Sequence, residues 1–410
     1  MKNKIFINKI FIFCLCLSLS LSITGQENIN SPNTVFGIGD IQLLEGGRSA
    51  GMALASMSLS GSYFLNTINP AGLAGIDSTN FIFDITLSAR NSKYSYRGFS
   101  EEAFSANVTK IAAGLRFTRR WSGAFSIKPY STVSYHIDKP VSKEGTEEKT
   151  IAEYEGSGGI NQISLLNSYK VTDKLSFGAD LKMLFGTINR NATLEGITFS
   201  KTSAVHTFAF SAGMLYKEKL TSRIDLSAAL IYGSQNNFRF TNKLSVLDIS
   251  GVSIYDDNIP SSIIRVPGNF GAGISIKGKQ ITIATDYYYR KKLIVPDNET
   301  SVKFADTRRL SFGVALTPGN NYSASYIAAI EYQAGFAVSN SYLIQNGINP
   351  LNLEFSAGAG LPLRGGSQVN LAFHWGRRGV ENSGIIREDY FRLSLGYSFV
   401  ERMFFRRLYD

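Results

Sequence analysis

From Phe81 onward the chain alternates apolar and polar residues with a period of two, segment after segment, and this repetition limits what it can fold into. Between Tyr390 and Phe399, one face carries Phe391, Leu393, Leu395, Tyr397 and Phe399; the other carries Arg392, Ser394, Gly396 and Ser398. The same split separates Val369, Leu371, Phe373 and Trp375 from Asn370, Ala372, His374 and Gly376. It returns in Leu175, Phe177, Ala179, Leu181 and Met183 against Ser176, Gly178, Asp180 and Lys182. A strand sends successive side chains to opposite faces, so each segment is apolar on one side and small or polar on the other. One such strand also suits a soluble sandwich. Repetition through nearly the whole chain, with almost no helical periodicity between, points to a membrane barrel with a greasy exterior.

Spacing strengthens this reading. Short connections (119–120, 171–174, 217–219, 277–279 and 363–366) alternate with long polar ones at 93–105, 138–157, 189–203, 234–267, 292–307, 339–349 and 378–387. Transmembrane barrels show this alternation of short periplasmic turns and long extracellular loops. The count predicts an all-β, antiparallel barrel of about fourteen strands over 81–400. The spans are 81–92, 106–118, 121–137, 158–170, 173–188, 204–216, 221–233, 268–277, 280–291, 308–317, 324–338, 350–362, 367–377 and 389–400, with further structure conceivable in 234–267. Closure follows because an open sheet edge has no partners in hydrocarbon. Trp121, Tyr287-Tyr288-Tyr289 and Trp375 stand near strand ends, where either interfacial girdles or ordinary rim aromatics belong.

The first 25 residues read as a secretory signal: Lys2, Lys4 and Lys9, then a short apolar run from Ile10, then Ile23-Thr24-Gly25. Cleavage after Gly25 would remove Cys14 and Cys16, leave no cysteine for disulfide or metal, and take the net charge from +10 to +7. The remaining basic residues are scattered, which argues against nucleic acid as a partner. No later apolar run is long enough for a transmembrane helix. Residues 26–80 form a hatch segment before the barrel, and 401–410 a short periplasmic tail.

Catalytic patterns are missing. His136, His206 and His374 lie far apart, and no metalloprotease, nucleophile-elbow or phosphate-loop motif occurs. Gly271-Ala-Gly273 and Gly358-Ala-Gly360 fall within strands and lack the helix of a dinucleotide site. His374 faces the lumen beside serines, where hydrogen-bonded filler is the commoner role than a catalytic dyad. Asp180, Lys182, Asp286 and Arg392 also face inward, to line a polar path or to pair with each other or the hatch. Asp256-Asp257-Asn258 is read as a solvated loop, so neither metal nor cofactor is assigned. Pro129 cannot donate to a sheet ladder. A bulge at Lys128-Pro129-Tyr130 follows if the strand is still in the wall there; otherwise the strand has already left the membrane.

Ahead of the first strand lie Glu45-Gly46-Gly47-Arg48-Ser49-Ala50-Gly51-Met52-Ala53 and Tyr63-Phe64-Leu65-Asn66-Thr67-Ile68-Asn69-Pro70-Ala71-Gly72-Leu73. This Gly/Ala-rich stretch with Asn-Pro-Ala resembles the start of FadL/TodX outer-membrane transporters for hydrophobic compounds. The resemblance implies an N-terminal hatch inside a fourteen-stranded barrel, with Phe64, Asn69, Pro70, Ala71 and Gly72 as hatch and ligand residues. It also implies a kinked third strand, so Lys128, Pro129 and Tyr130 become candidates for a lateral wall opening. The expected function is passive uptake of hydrophobic small molecules, fatty-acid-like or aromatic, in the Gram-negative outer membrane. Expected partners are that ligand, outer-membrane lipids and the barrel assembly machinery. Ser31-Pro32, Phe36-Gly37-Ile38-Gly39-Asp40 and Arg402-Met403-Phe404-Phe405-Arg406-Arg407 depart from the fatty-acid transporters. They look more like a divergent branch that includes an accessory barrel of type IX secretion. The alternative is therefore a non-transporting scaffold that docks a secretion-system protein or exported proteins.

Overall fold

The structure is a computed structural model. It describes residues 31–403 apart from 43–45, 79, 97, 143–148, 296–302, 320–324, 345–346 and 380–385. The expected signal segment and most of the expected tail lie outside the described residues. Fourteen antiparallel strands form a closed wall: β1 Asn80–Tyr96, β2 Phe99–Arg116, β3 Trp121–Thr132, β4 Lys149–Lys170, β5 Leu175–Leu194, β6 Ile197–Thr221 and β7 Ile224–Gly233 make one half. The other half is β8 Asn269–Lys277, β9 Ile281–Arg290, β10 Thr307–Leu316, β11 Glu331–Asn340, β12 Leu351–Pro362, β13 Gln368–Arg378 and β14 Arg387–Arg402. Neighbours in sequence pair with each other, and β14 closes the ring on β1 from Arg402↔Asn80 to Arg387↔Ser95.

Alternation sets which face is which. On β14, Phe391 is 65% exposed while Ser394 is 5%. Across five strands the outward residues Phe312, Phe336, Phe355, Trp375 and Phe391 stand directly opposite one another. Phe355 stacks between Phe336 and Trp375 at centroid distances of 6.0 and 5.8 Å. Trp121 stacks on Phe117 at 4.5 Å beside a short turn, and its indole N–H donates to Asn167. The Tyr287–Tyr289 triplet does not act as one girdle: Tyr287 faces out, and Tyr288 is buried on the lumen side, as alternation requires.

Most of the expected long loops are strand instead. A transmembrane strand needs about 9–11 residues, but β6 has 25, so it continues well past the hydrocarbon band. Ser253–Val266 pairs with Asn236–Leu247, which also pairs with β6, and together they fill the 234–267 connection. Pro260 falls where the register shifts between Phe240 and Asn242, a place where its missing N–H costs nothing. Glu195-Gly196 makes a tight turn with φ of 50° and 82°. Two spans need correction. Residues Lys217–Lys219 belong to β6 rather than to a turn, and the expected strand over 324–338 starts as a short helix, Tyr326–Ala329, before β11.

The third strand is broken. After Thr132 the chain resumes as Tyr135–Ser142, paired with the outer end of β4. In that hairpin His136 lies opposite Glu155, and Asp138 opposite Glu153, all outside the membrane band. Burial lowers the His136 affinity for a proton, but its hydrogen bond to Glu155 and the charges of Asp138, Glu153 and Glu155 outweigh this and raise its pKa above 6.5. The raised value means that the protonated imidazole stabilises the hairpin fully below pH 6.5, and that this is lost as pH rises through the raised pKa. Amide exchange over 135–142 and 149–156 is therefore expected to be slower at pH 5.5 than expected from base catalysis alone when compared with pH 8.5. A His136→Ala barrel is expected to lose that excess protection; equal protection in both proteins would remove the effect.

Candidate functional site

The lumen is built around residues 46–76. Pro70 opens a 3-10 turn, Pro70–Gly75, at the position where a proline sacrifices no hydrogen bond. Asn69 caps it: its side-chain oxygen accepts from the Ala71 N–H at 3.0 Å, and its amide donates to the Met57 and Met214 carbonyls at 2.9 and 3.3 Å. Asn66 performs a matching task that sequence reading did not single out. Its amide donates to the Ser56 and Leu59 carbonyls, and its oxygen accepts from the N–H groups of Ile68 and Asn69. A second Asn three residues before the capping Asn69 is the signal that could have found it, since Asn side chains bond nearby backbone in turns.

The wall is shaped to receive this segment. A Cβ on Gly178 would lie 2.3 Å from the Ala71 nitrogen, and one on Gly213 would lie 2.1 Å from the Asn69 side-chain oxygen. Gly313 and Gly335 meet Met52 in the same manner. Absence of a side chain at these inward positions lets one backbone touch another. Serines complete the contact: Ser168 and Ser176 donate to the Ala71 carbonyl, while Ser356 accepts from the Ala53 N–H and donates to the Gly51 carbonyl. Ala53 and Leu54 adopt left-handed φ of 50° and 65°, held by that serine and by Arg309 on the Ala53 carbonyl.

Most of the inward charges have partners. Asp286 accepts from the Ser56 and Met57 N–H groups at 2.6 and 2.8 Å, Lys182 pairs with Asp180, and Arg48 with Glu331. Glu354 is the hub of the largest group, receiving Arg309 at 3.4 Å, Arg392 at 3.1 Å, His374 at 3.2 Å and the Tyr390 hydroxyl at 2.7 Å. Among the described residues, His374 makes no hydrogen bond to a serine. Beyond this layer an apolar cluster, including Ile38, Ile188, Phe238, Phe240, Ile264 and Phe304, lies toward the long-hairpin end, where Ile188, Phe240 and Ile264 also line a cavity of about 380 Å³.

The sequence-derived residues do not form one site. Asn69, Pro70, Ala71 and Gly72 sit together, buried against the short-turn ends of β4, β5 and β6. Phe64, half-buried, lies apart with the exposed Tyr63 beside a cavity of about 570 Å³ at the short-turn end. Lys128, Pro129 and Tyr130 lie in the wall, where the pairing of β3 with β4 shifts register between Pro129 and Ser131. The shift reverses the alternation, so that Ser126 and then Ser131, Val133 and Tyr135 face inward. At the same height β2 and β3 part: their ladder runs only from Arg116↔Ser122 to Ile111↔Ile127. The edge of β3 released there is taken by Asp40-Ile41, paired with Thr132 and Ser131, and by the Gln42 N–H on the Tyr130 carbonyl at 2.9 Å. A cavity of about 40 Å³ lies behind the parting, lined by Gln42, Thr109, Lys128 and Pro129 among others.

A family profile for BamG matches residues 6–410, almost the whole chain. The chain belongs to the BamG family. Solved structures place the fold of this BamG-family barrel beside FadL-like outer-membrane barrels. The P. putida toluene transporter TodX superposes with a TM-score of 0.56 at 14% identity, covering 88% of this chain and 99% of its own. The CymD monoaromatic hydrocarbon channel gives 0.54 at 13%, covering 90% and 99%. A Pseudomonas aeruginosa FadL homologue gives 0.54 at 14%, covering 88% and 98%. No curated protein sequence matches the chain.

Proposed function

We propose that this BamG-family chain is a non-transporting accessory barrel of the Gram-negative outer membrane, docked to the barrel assembly machinery. The short turns face the periplasm and the long hairpins the exterior, as in other single-chain barrels. The observation that carries this reading is the N-terminal segment packed against the inside of the wall. Residues 46–76 meet the wall at Gly178, Gly213, Gly313 and Gly335, and an apolar cluster lies toward the long-hairpin end, so the lumen holds separate cavities, among them ones of about 570, 380 and 120 Å³, rather than one apolar conduit. A hydrocarbon conduit needs an extended apolar cavity between hatch and wall; here polar and charged side chains such as Arg48, Glu331, Gln333 and Glu354 interrupt the interior. The family name, with its Bam prefix, fits the same reading. The test is native mass spectrometry of the barrel, tagged and extracted from its own outer membrane. A stoichiometric assembly-machinery subunit is the expected companion. A barrel that emerges alone with a bound apolar molecule would overturn the proposal.

A second reading, passive uptake of hydrophobic small molecules through a lateral opening, draws on the parting of β2 and β3 beside Pro129. Under that reading Pro129→Ala restores a donor to the wall, narrows the opening and slows uptake of a radiolabelled aromatic several-fold at equal amounts of folded barrel. Unchanged uptake would leave the parting without a transport role. Gly72, whose added Cβ would come 3.0 Å from that of Asn66, is the hatch position at which a bulky residue such as Gly72→Trp should displace bound ligand under the same reading.

A further inference from the structure

Toward the long-hairpin end, a cavity of about 120 Å³ is lined by five arginines but three carboxylates. Four of the arginines have partners: Arg90 pairs with Glu388 and Arg378 with Asp40, while Arg309 and Arg392 share Glu354. The fifth, Arg290, is 4% exposed and, among the described residues, makes no hydrogen bond or ion pair. It stands at the end of β9 on the same inward face as Tyr288 and Asp286, with Tyr342 of the cavity wall close enough to feel its charge. Guanidinium groups keep their proton in proteins and carry five N–H donors, so burial without an acceptor is costly. Sharing of Glu354 leaves one positive charge uncompensated and Arg290 adds a second.

We propose that this cavity binds a phosphate-type oxyanion, with Arg290 as its principal ligand. A dianion carries the charge that the lining lacks, and its several acceptor oxygens suit a guanidinium fork. The site is independent of whether the barrel docks a partner, because it rests on the lumen alone. One edge of it is Asp40 of the N-terminal segment, so a bound anion would tie that segment to β9 and β13. The oxyanion could be free phosphate or the phosphate of a lipid headgroup, since both present the same group to Arg290.

The experiment is calorimetric titration of the full barrel in detergent with inorganic phosphate, with short-chain phosphatidic acid, and with chloride at matched ionic strength. Phosphate is expected to bind and chloride is not, and Arg290→Gln is expected to weaken phosphate at least tenfold. Tighter binding of phosphatidic acid than phosphate, with the same dependence on Arg290, assigns the site to lipid; binding of phosphate alone assigns it to the free ion. Without anion, Arg290→Gln is expected to melt no lower than the parent, because a lone buried charge has been removed. A clear loss of melting temperature would mean that Arg290 has a structural partner, and would overturn the site. Should the variant not fold, native mass spectrometry of the parent in phosphate decides: no phosphate adduct that survives where chloride adducts are lost overturns the proposal.

Discussion

A Gly178→Val barrel is expected to open as an ion-conducting pore while keeping its wall. The new Cβ would fall 2.3 Å from the Ala71 nitrogen and 2.4 Å from the Pro70 carbonyl carbon. Neither atom can retreat cheaply: Asn69 is tied to Met57 and Met214, and the Ala71 carbonyl to Ser168 and Ser176. Overpacking of a filled interior costs about 1–3 kcal/mol even where side chains can move, and here the obstacle is backbone. The 3-10 turn is therefore pushed away from β5, whereas the outward face of that strand is unaltered. Planar-bilayer recordings should find steady conductance in the variant and closed channels in the parent. Trypsin should gain cleavage at Arg48. Ala179→Val, on the outward face of the same strand, is the control and should stay closed. A folded Gly178→Val barrel with the parent's conductance would mean that the segment does not seal the lumen.

The second large effect belongs to Glu354. Its carboxylate is shared by Arg309 and Arg392, with His374 and Tyr390 also on it. Glu354→Gln keeps the shape but leaves two buried guanidinium groups without a countercharge. Removing one partner from a buried ionic group costs about 3–5 kcal/mol, so the urea midpoint of folding into lipid vesicles should fall markedly. Pairing this change with Arg392→Met should recover part of the loss, because one of the two stranded charges goes with it. If Glu354→Gln matched the parent midpoint, the cluster would be contributing little to the stability of the wall.

Fold class was legible because the membrane imposes it residue by residue: Phe391, Leu393 and Leu395 must face lipid, and Ser394 and Ser398 must not. Heights above the membrane were not legible. Alternation is relaxed where both faces of a hairpin meet water, so the strands in 236–247 and 253–266 read as loop. The bulge at Lys128-Pro129-Tyr130 was legible through the missing N–H of Pro129, but the reversal it imposes on Ser131, Val133 and Tyr135 was not, since a single inserted residue changes every later assignment in that strand. Asn69-Pro70 announced itself through the Asn-Pro-Ala pattern, and its capping role became visible only with Ala71 in place. Asp286, by contrast, was visible as an inward charge but not as the acceptor for Ser56 and Met57, because its partners lie more than two hundred residues away. Arg290 looked like any strand-end cation, and its isolation became meaningful only with its neighbours in place.

Closure of the ring also dictates an order of assembly. The segment lining the lumen runs straight into β1, and β1 finds its last neighbour, β14, more than three hundred residues later. Contacts so distant in sequence form late and slowly. Residues 46–76 can therefore meet β4 to β6 before that final seam zips, and the seam then closes over a segment already in contact with half of the wall. The interior can thus act as a mandrel on which the cylinder is wound.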